Sequence, residues 1–103
     1  MTENINVHTI NKMQLTFDPS KNGKNIQERG LAFTLVSEMD WATAYIGEDQ
    51  RQDYGERRFR VLGCINGRLY AAVFTPRADK LHVISLRKAN SREVKVYEKT
   101  LES

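Results

Sequence analysis

Met13-Gln14-Leu15-Thr16-Phe17 alternates apolar and polar residues, the period of a half-buried strand. Asp18-Pro19 follows, an N-cap residue and a proline suited to the first helical position, and Gly30 stands where a C-terminal cap belongs. These signals predict a helix over 19–29. Its one strongly apolar residue is Ile26, so the helix should lie on the surface. Phe33, Val36 and Met39 then recur at three-residue spacing beside Leu35, one apolar stripe that predicts a second short helix ending near Trp41. Residues 42–46 read as a further strand and the charged stretch 47–53 as a loop.

Two apolar runs, 58–65 and 68–75, flank Asn66-Gly67. Both residues of a type I′ turn need positive φ, so this pair predicts a tight hairpin. Tyr70-Ala71-Ala72-Val73-Phe74 is apolar at every position, as a central strand requires, and Pro76 should close it. After a turn at 77–79, residues 81–86 form another strand, in which His82 should share a face with Ile84 and Leu86. Asn90 and Glu93 have capping-box spacing, and Val94, Tyr97 and Leu101 mark one face of a last helix. The order is a short strand, two helices, an antiparallel sheet of three to four strands and a C-terminal helix, an α+β arrangement. Residues 1–12 lack a pattern and read as a loose leader, leaving 13–103 as a single domain.

The chain has 103 residues, enough for one core without disulfide staples. No run is apolar enough for a membrane helix, and the N-terminus has no signal-peptide pattern. A single cysteine, Cys64, excludes an internal disulfide and a multi-thiolate metal site, and points to a reducing cytoplasm. Cys64 lies within a strand run and reads as a buried small hydrophobe. The net charge of +3 hides an asymmetry. Residues 51–103 hold 12 Lys/Arg against 6 Asp/Glu, and residues 1–50 hold 4 against 7. Such a basic half suits either a polyanionic partner or an ordinary solvated surface.

No phosphate-binding glycine loop, metal-ligand cluster or serine elbow occurs. Arg58 and Arg60 share a strand face, and Arg87 and Lys88 immediately precede a helix N-terminus, where anions bind well. Glu56 lies close enough to these arginines to act as a base or to form a salt bridge. His82 has no acidic partner identifiable from spacing and reads as a half-exposed strand residue.

Three segments resemble the BrnT family of bacterial toxins. The first is Asp18-Pro19-Ser20-Lys21 with Asn25, Gly30 and Phe33. The second is Gly55-Glu56-Arg57-Arg58-Phe59 with Gly63. The third is Ile84-Ser85-Leu86-Arg87-Lys88-Ala89 with Arg92-Glu93 and Tyr97-Glu98. The chain departs from the family pattern at Leu86, where alanine is usual, and at Arg29, where histidine usually precedes the glycine. Arginine stays protonated and cannot replace a proton-transferring histidine.

The resemblance implies a RelE-like fold and an endoribonuclease toxin with no cofactor. It also implies neutralisation by a small ribbon-helix-helix antitoxin similar to BrnA, with operator DNA bound only through the complex, which represses its own operon. On that basis Lys21, Glu56, Arg58 and Arg87 are the expected catalytic residues, and Lys24, Arg29, Arg60, Lys88 and Arg92 the expected RNA contacts. An alternative is a catalytically inactive RNA- or protein-binding module of the same fold. RNA supplies its own nucleophile, so cleavage needs an aligned 2′-hydroxyl and positive charge on the phosphoryl oxygens, with no metal.

Overall fold

The computed structural model describes residues 13–102; the leader, residues 1–12, lies outside them. β1 (Gln14–Phe17) leads into α1 (Pro19–Arg29). The Asp18 side chain accepts a hydrogen bond from the Ser20 N–H, and Gly30, at φ 70°, donates its N–H to the Ile26 carbonyl. Both caps are where the sequence predicts them. The second helix is a 3-10 helix, Phe33–Glu38. Its three residues per turn match the Phe33–Val36–Met39 spacing, and all three side chains are buried. It ends earlier than expected, because Met39 turns to extended backbone and caps it, its N–H donating to the Val36 carbonyl.

β2 (Tyr45–Glu48), β3 (Phe59–Ile65), β4 (Arg68–Arg77) and β5 (Lys80–Lys88) precede α2 (Ser91–Leu101). The sheet is five-stranded and mixed, in the order β1-β5-β4-β3-β2. The expected antiparallel sheet of three to four strands is therefore incomplete. β2 to β5 form the meander, and β1 adds to its edge parallel to β5, with Leu15 opposite Leu81 and Thr16 opposite His82. The all-apolar β4 is central, as expected. Asn66 and Gly67 both have positive φ in the β3–β4 turn. Pro76 does not close β4, which continues to Arg77 in register with Lys80.

β5 also corrects the expected alternation. Val73 pairs with Ser85 but Phe74 pairs with Val83, so Ile84 is a bulge residue without a cross-strand partner. The extra residue resets the parity. Leu81, Val83 and Leu86 are buried on one face, while His82, Ser85 and Arg87 lie on the other. His82 therefore does not share a face with Leu86.

The core lies on the first face. Leu31, Phe33, Val36, Met39 and Trp41 pack there against Phe59, Val61, Phe74, Leu81, Val83 and Leu86. Asn25 of α1 is buried, and its Nδ2 donates to the carbonyls of Leu31 (2.8 Å) and Leu86 (3.0 Å). It fastens α1 to β5 by donating to one carbonyl of each side of the joint. α2 lies over the opposite face, where the Tyr97 hydroxyl is 4.0 Å from Cys64 Sγ. Cys64 is half-buried, not fully buried as expected, because it is on this more open side.

Candidate nucleic-acid interface

The face away from the core carries Arg60, Val73 and Ser85 in one cross-strand row, and Leu62, Ala71 and Arg87 in the next. With Arg92, Glu93 and Val96 of α2 these rows line a groove of about 480 Å³. Its floor is aliphatic and its rim is charged. Arg87 is held at that rim by two charge-assisted bonds: Nη1 donates to Glu93 Oε1 at 2.7 Å and Nη2 to Oε2 at 2.8 Å. Glu93 also completes the capping box of α2, since its Oε1 accepts the Asn90 N–H at 2.9 Å and its N–H donates to Asn90 Oδ1 at 2.8 Å. Arg87 is the main cause of the lowering of the Glu93 pKa to about 2, with smaller help from the Asn90 N–H and the charge of Arg60; burial opposes it. The same pair raises Arg87 above the ordinary arginine value.

A second cluster gathers before β3. Arg77 Nη2 donates to both oxygens of Glu56, at 3.3 and 3.5 Å. Arg58 Nε is 3.7 Å from Glu56 Oε2, yet this nitrogen is buried and makes no hydrogen bond. The Arg58 guanidinium lies 4.2 Å from the centre of the Tyr54 ring, within cation–π range. Tyr54 is fixed in turn, its hydroxyl donating to Asp49 Oδ2 at 3.0 Å. Asp49 is buried and bound by Arg51 through Nε at 2.8 Å and Nη2 at 2.7 Å, which holds its carboxyl far below the usual range.

His82 adjoins this cluster. Its Nδ1 is 2.9 Å from Thr16 Oγ1 on β1. Burial lowers its pKa from 6.5, as do the charges of Arg77 and Lys21, while Glu56 and Asp18 act the other way. The imidazole is therefore neutral at pH 7.

The structure thus divides the expected catalytic set. Lys21, Glu56 and Arg58 belong to the neighbourhood of His82 and Arg77, and Arg87 belongs to the groove with Arg60 and Arg92. Arg58 precedes Leu62, the β3 residue in the row of Arg87, by four positions, about 13 Å along the strand. Lys24 is exposed on α1. Arg29 donates to Asn25 Oδ1 at 3.0 Å and to the Leu86 carbonyl at 3.4 Å, reinforcing the α1–β5 joint. Lys88 is exposed at the end of β5, on the face opposite Arg87 by alternation.

Arg77, Tyr54 and Asp49 were not singled out by the sequence, and His82 was set aside. Arg77 was hidden in an expected turn, and the value of His82 depends on a bulge and a parallel neighbour that leave no local signal. Among the described residues no three His, Cys, Asp or Glu side chains come together as a metal site. No helix among them is long and apolar enough to cross a membrane.

The family of ribonuclease toxins, BrnT, of type II toxin-antitoxin systems matches residues 17–93. The chain belongs to the BrnT family. The matched span covers both basic clusters, from Lys21 to Arg92, together with the whole meander. No curated protein matches the chain.

Proposed function

We propose that this BrnT-family chain is an endoribonuclease that cleaves RNA without a metal, by attack of the 2′-hydroxyl on the adjacent phosphorus. The observation that carries this reading is the groove lined by Arg60, Arg87 and Arg92, inside the family match. Arg58, Arg77 and Lys21 neutralise charge on the scissile phosphate, and Arg60, Arg87 and Arg92 hold neighbouring phosphates along the groove. Arginine suits both tasks because its planar fork matches phosphate oxygens. Glu56, paired with two guanidiniums, orients them. Arg29, engaged with Asn25 and the Leu86 carbonyl, acts as a structural residue. Lys24 and Lys88 add long-range attraction for RNA.

Cleavage by this route leaves a 2′,3′-cyclic phosphate and a 5′-hydroxyl. In the cytoplasm a ribbon-helix-helix antitoxin of the BrnA type covers the basic face, and the complex binds operator DNA through the antitoxin to repress the operon. The test is digestion of end-labelled RNA by the purified chain in excess EDTA. Fragments with cyclic phosphate ends support the reading. Cleavage only on addition of Mg²⁺ refutes the metal-free route, and RNA binding without cleavage favours a binding module.

A further inference from the structure

We propose that His82 is the base that takes the proton from the attacking 2′-hydroxyl, an assignment that rests on the ribonuclease reading above. With Glu56 committed to Arg77 and Arg58, the arginine clusters lack a group able to accept that proton. His82 is placed to supply it. The β5 bulge turns its side chain to the same face as Arg87. In the cross-strand register His82 lies opposite Thr75, and Thr75 Oγ1 donates to the Arg57 carbonyl at 2.6 Å. The cations that act on His82 are Arg77 of β4 and Lys21 of α1, and His82 itself is half-exposed, so a phosphate held by these two would meet its ring from the solvent side.

Thr16 sets the orientation. When Nδ1–H donates to Thr16 Oγ1, Nε2 keeps its lone pair, and among the described residues no hydrogen bond engages Nε2. The charged groups facing His82 are Arg77 of β4, Glu56 of the loop before β3, and Lys21 and Asp18 at the start of α1. Burial and the two cations keep the imidazole unprotonated near neutrality, the form a base requires.

In the step, the O2′ lone pair forms the O2′–P bond while the O2′ proton passes to Nε2. The P–O5′ bond breaks, its electron pair leaves with O5′, and O5′ takes a proton from water. The resulting hydroxide removes the proton from Nε2 and restores neutral His82.

The experiment compares the full-length wild type with His82→Gln on a labelled RNA oligonucleotide in EDTA across pH 4–9. Wild-type kcat should rise with pH to a plateau, with its midpoint below about 6.5. His82→Gln should lose about 10²–10⁴ in kcat, keep KM within about threefold, and lose that limb of the profile. A titration of the His82 ring by NMR in the wild type gives a check that needs no variant: its midpoint should coincide with the kinetic one. A folded His82→Gln with kcat within about threefold of wild type, or imidazole and kinetic midpoints about one pH unit or more apart, overturns the assignment alone. A wild type that cleaves no RNA overturns the ribonuclease reading and this assignment with it.

Discussion

Replacing Arg87 with alanine should have two separable effects, because the structure gives its guanidinium a structural partner as well as a place in the groove. Both terminal nitrogens bind Glu93, the residue that closes the capping box of α2. A Glu93 pKa displaced from 4.5 to about 2 corresponds to roughly 3 kcal/mol between its two protonation states. The Arg87 side chain is 44% exposed, so solvent screening reduces the contribution to stability to about 1 kcal/mol. For a domain of this size that lowers Tm by about 4–8 °C at pH 7. The sign with pH follows from the direction of the shift. A depressed carboxyl pKa stabilises the fold above 4.5, and the contribution is lost as pH falls from there towards about 2. The Tm difference between wild type and Arg87→Ala, followed by circular dichroism, should therefore be full at pH 7 and close in acid. At a temperature where both proteins are folded, loss of this phosphate contact should raise KM for RNA with kcat little changed. An equal Tm at pH 7, or a difference that persists unchanged at pH 2.5, refutes the assignment of the Glu93 shift to Arg87.

Asn25→Ala removes the side-chain donor of the Leu31 carbonyl, leaves the Leu86 carbonyl only its longer bond from Arg29, and should cost about 1–3 kcal/mol in urea unfolding; a loss below about 0.5 kcal/mol would show that these carbonyls find other partners. Gly63→Ala brings a Cβ to 2.5 Å from the buried Met39 Sδ, so a loss of about 1–3 kcal/mol is expected, and the double variant with Met39→Ala should recover part of it. Deleting Ile84 joins Val83 to Ser85 in unbroken alternation that keeps Leu81, Val83 and Leu86 inward and His82, Ser85 and Arg87 outward, so the shortened domain should still unfold cooperatively in urea, and loss of that transition would refute the reading of Ile84 as the inserted residue. An antitoxin covering the basic face should associate more slowly as salt is raised, and a salt-independent rate would place it elsewhere.

Local signals were legible in the sequence wherever the physics was itself local. Asp18-Pro19, Gly30, Asn66-Gly67 and Asn90 with Glu93 each act within a few residues, and each does in the structure what its chemistry requires. The central place of β4 was legible too, since a strand apolar on both sides must be covered on both. Partner choice was not. The four residues of β1 read as a strand but carry no sign that they pair with β5, 66 positions later, and their place in the sheet went unrecognised for that reason. Arg87 was legible as a cation near a helix start, but its bond to Glu93 was not, because the spacing had already explained Glu93 as a capping residue.

The bulge at Ile84 shows how the site depends on a feature that periodicity conceals. Residues 82 and 87 are an odd number of positions apart, so an unbroken strand would send their side chains to opposite faces. The apolar pattern records the interruption: Leu81 and Val83 are two apart, and the next buried residue, Leu86, is three further on. Read as simple alternation, that pattern assigns His82 to the side of Leu86 and hides it from the arginines. Read with one inserted residue, it turns His82, Ser85 and Arg87 to a single face and keeps all three apolar residues in the core. Burial constrains only the core side, so the inserted residue costs little stability. Its consequence falls on the other side, where it allows one strand to serve both basic clusters.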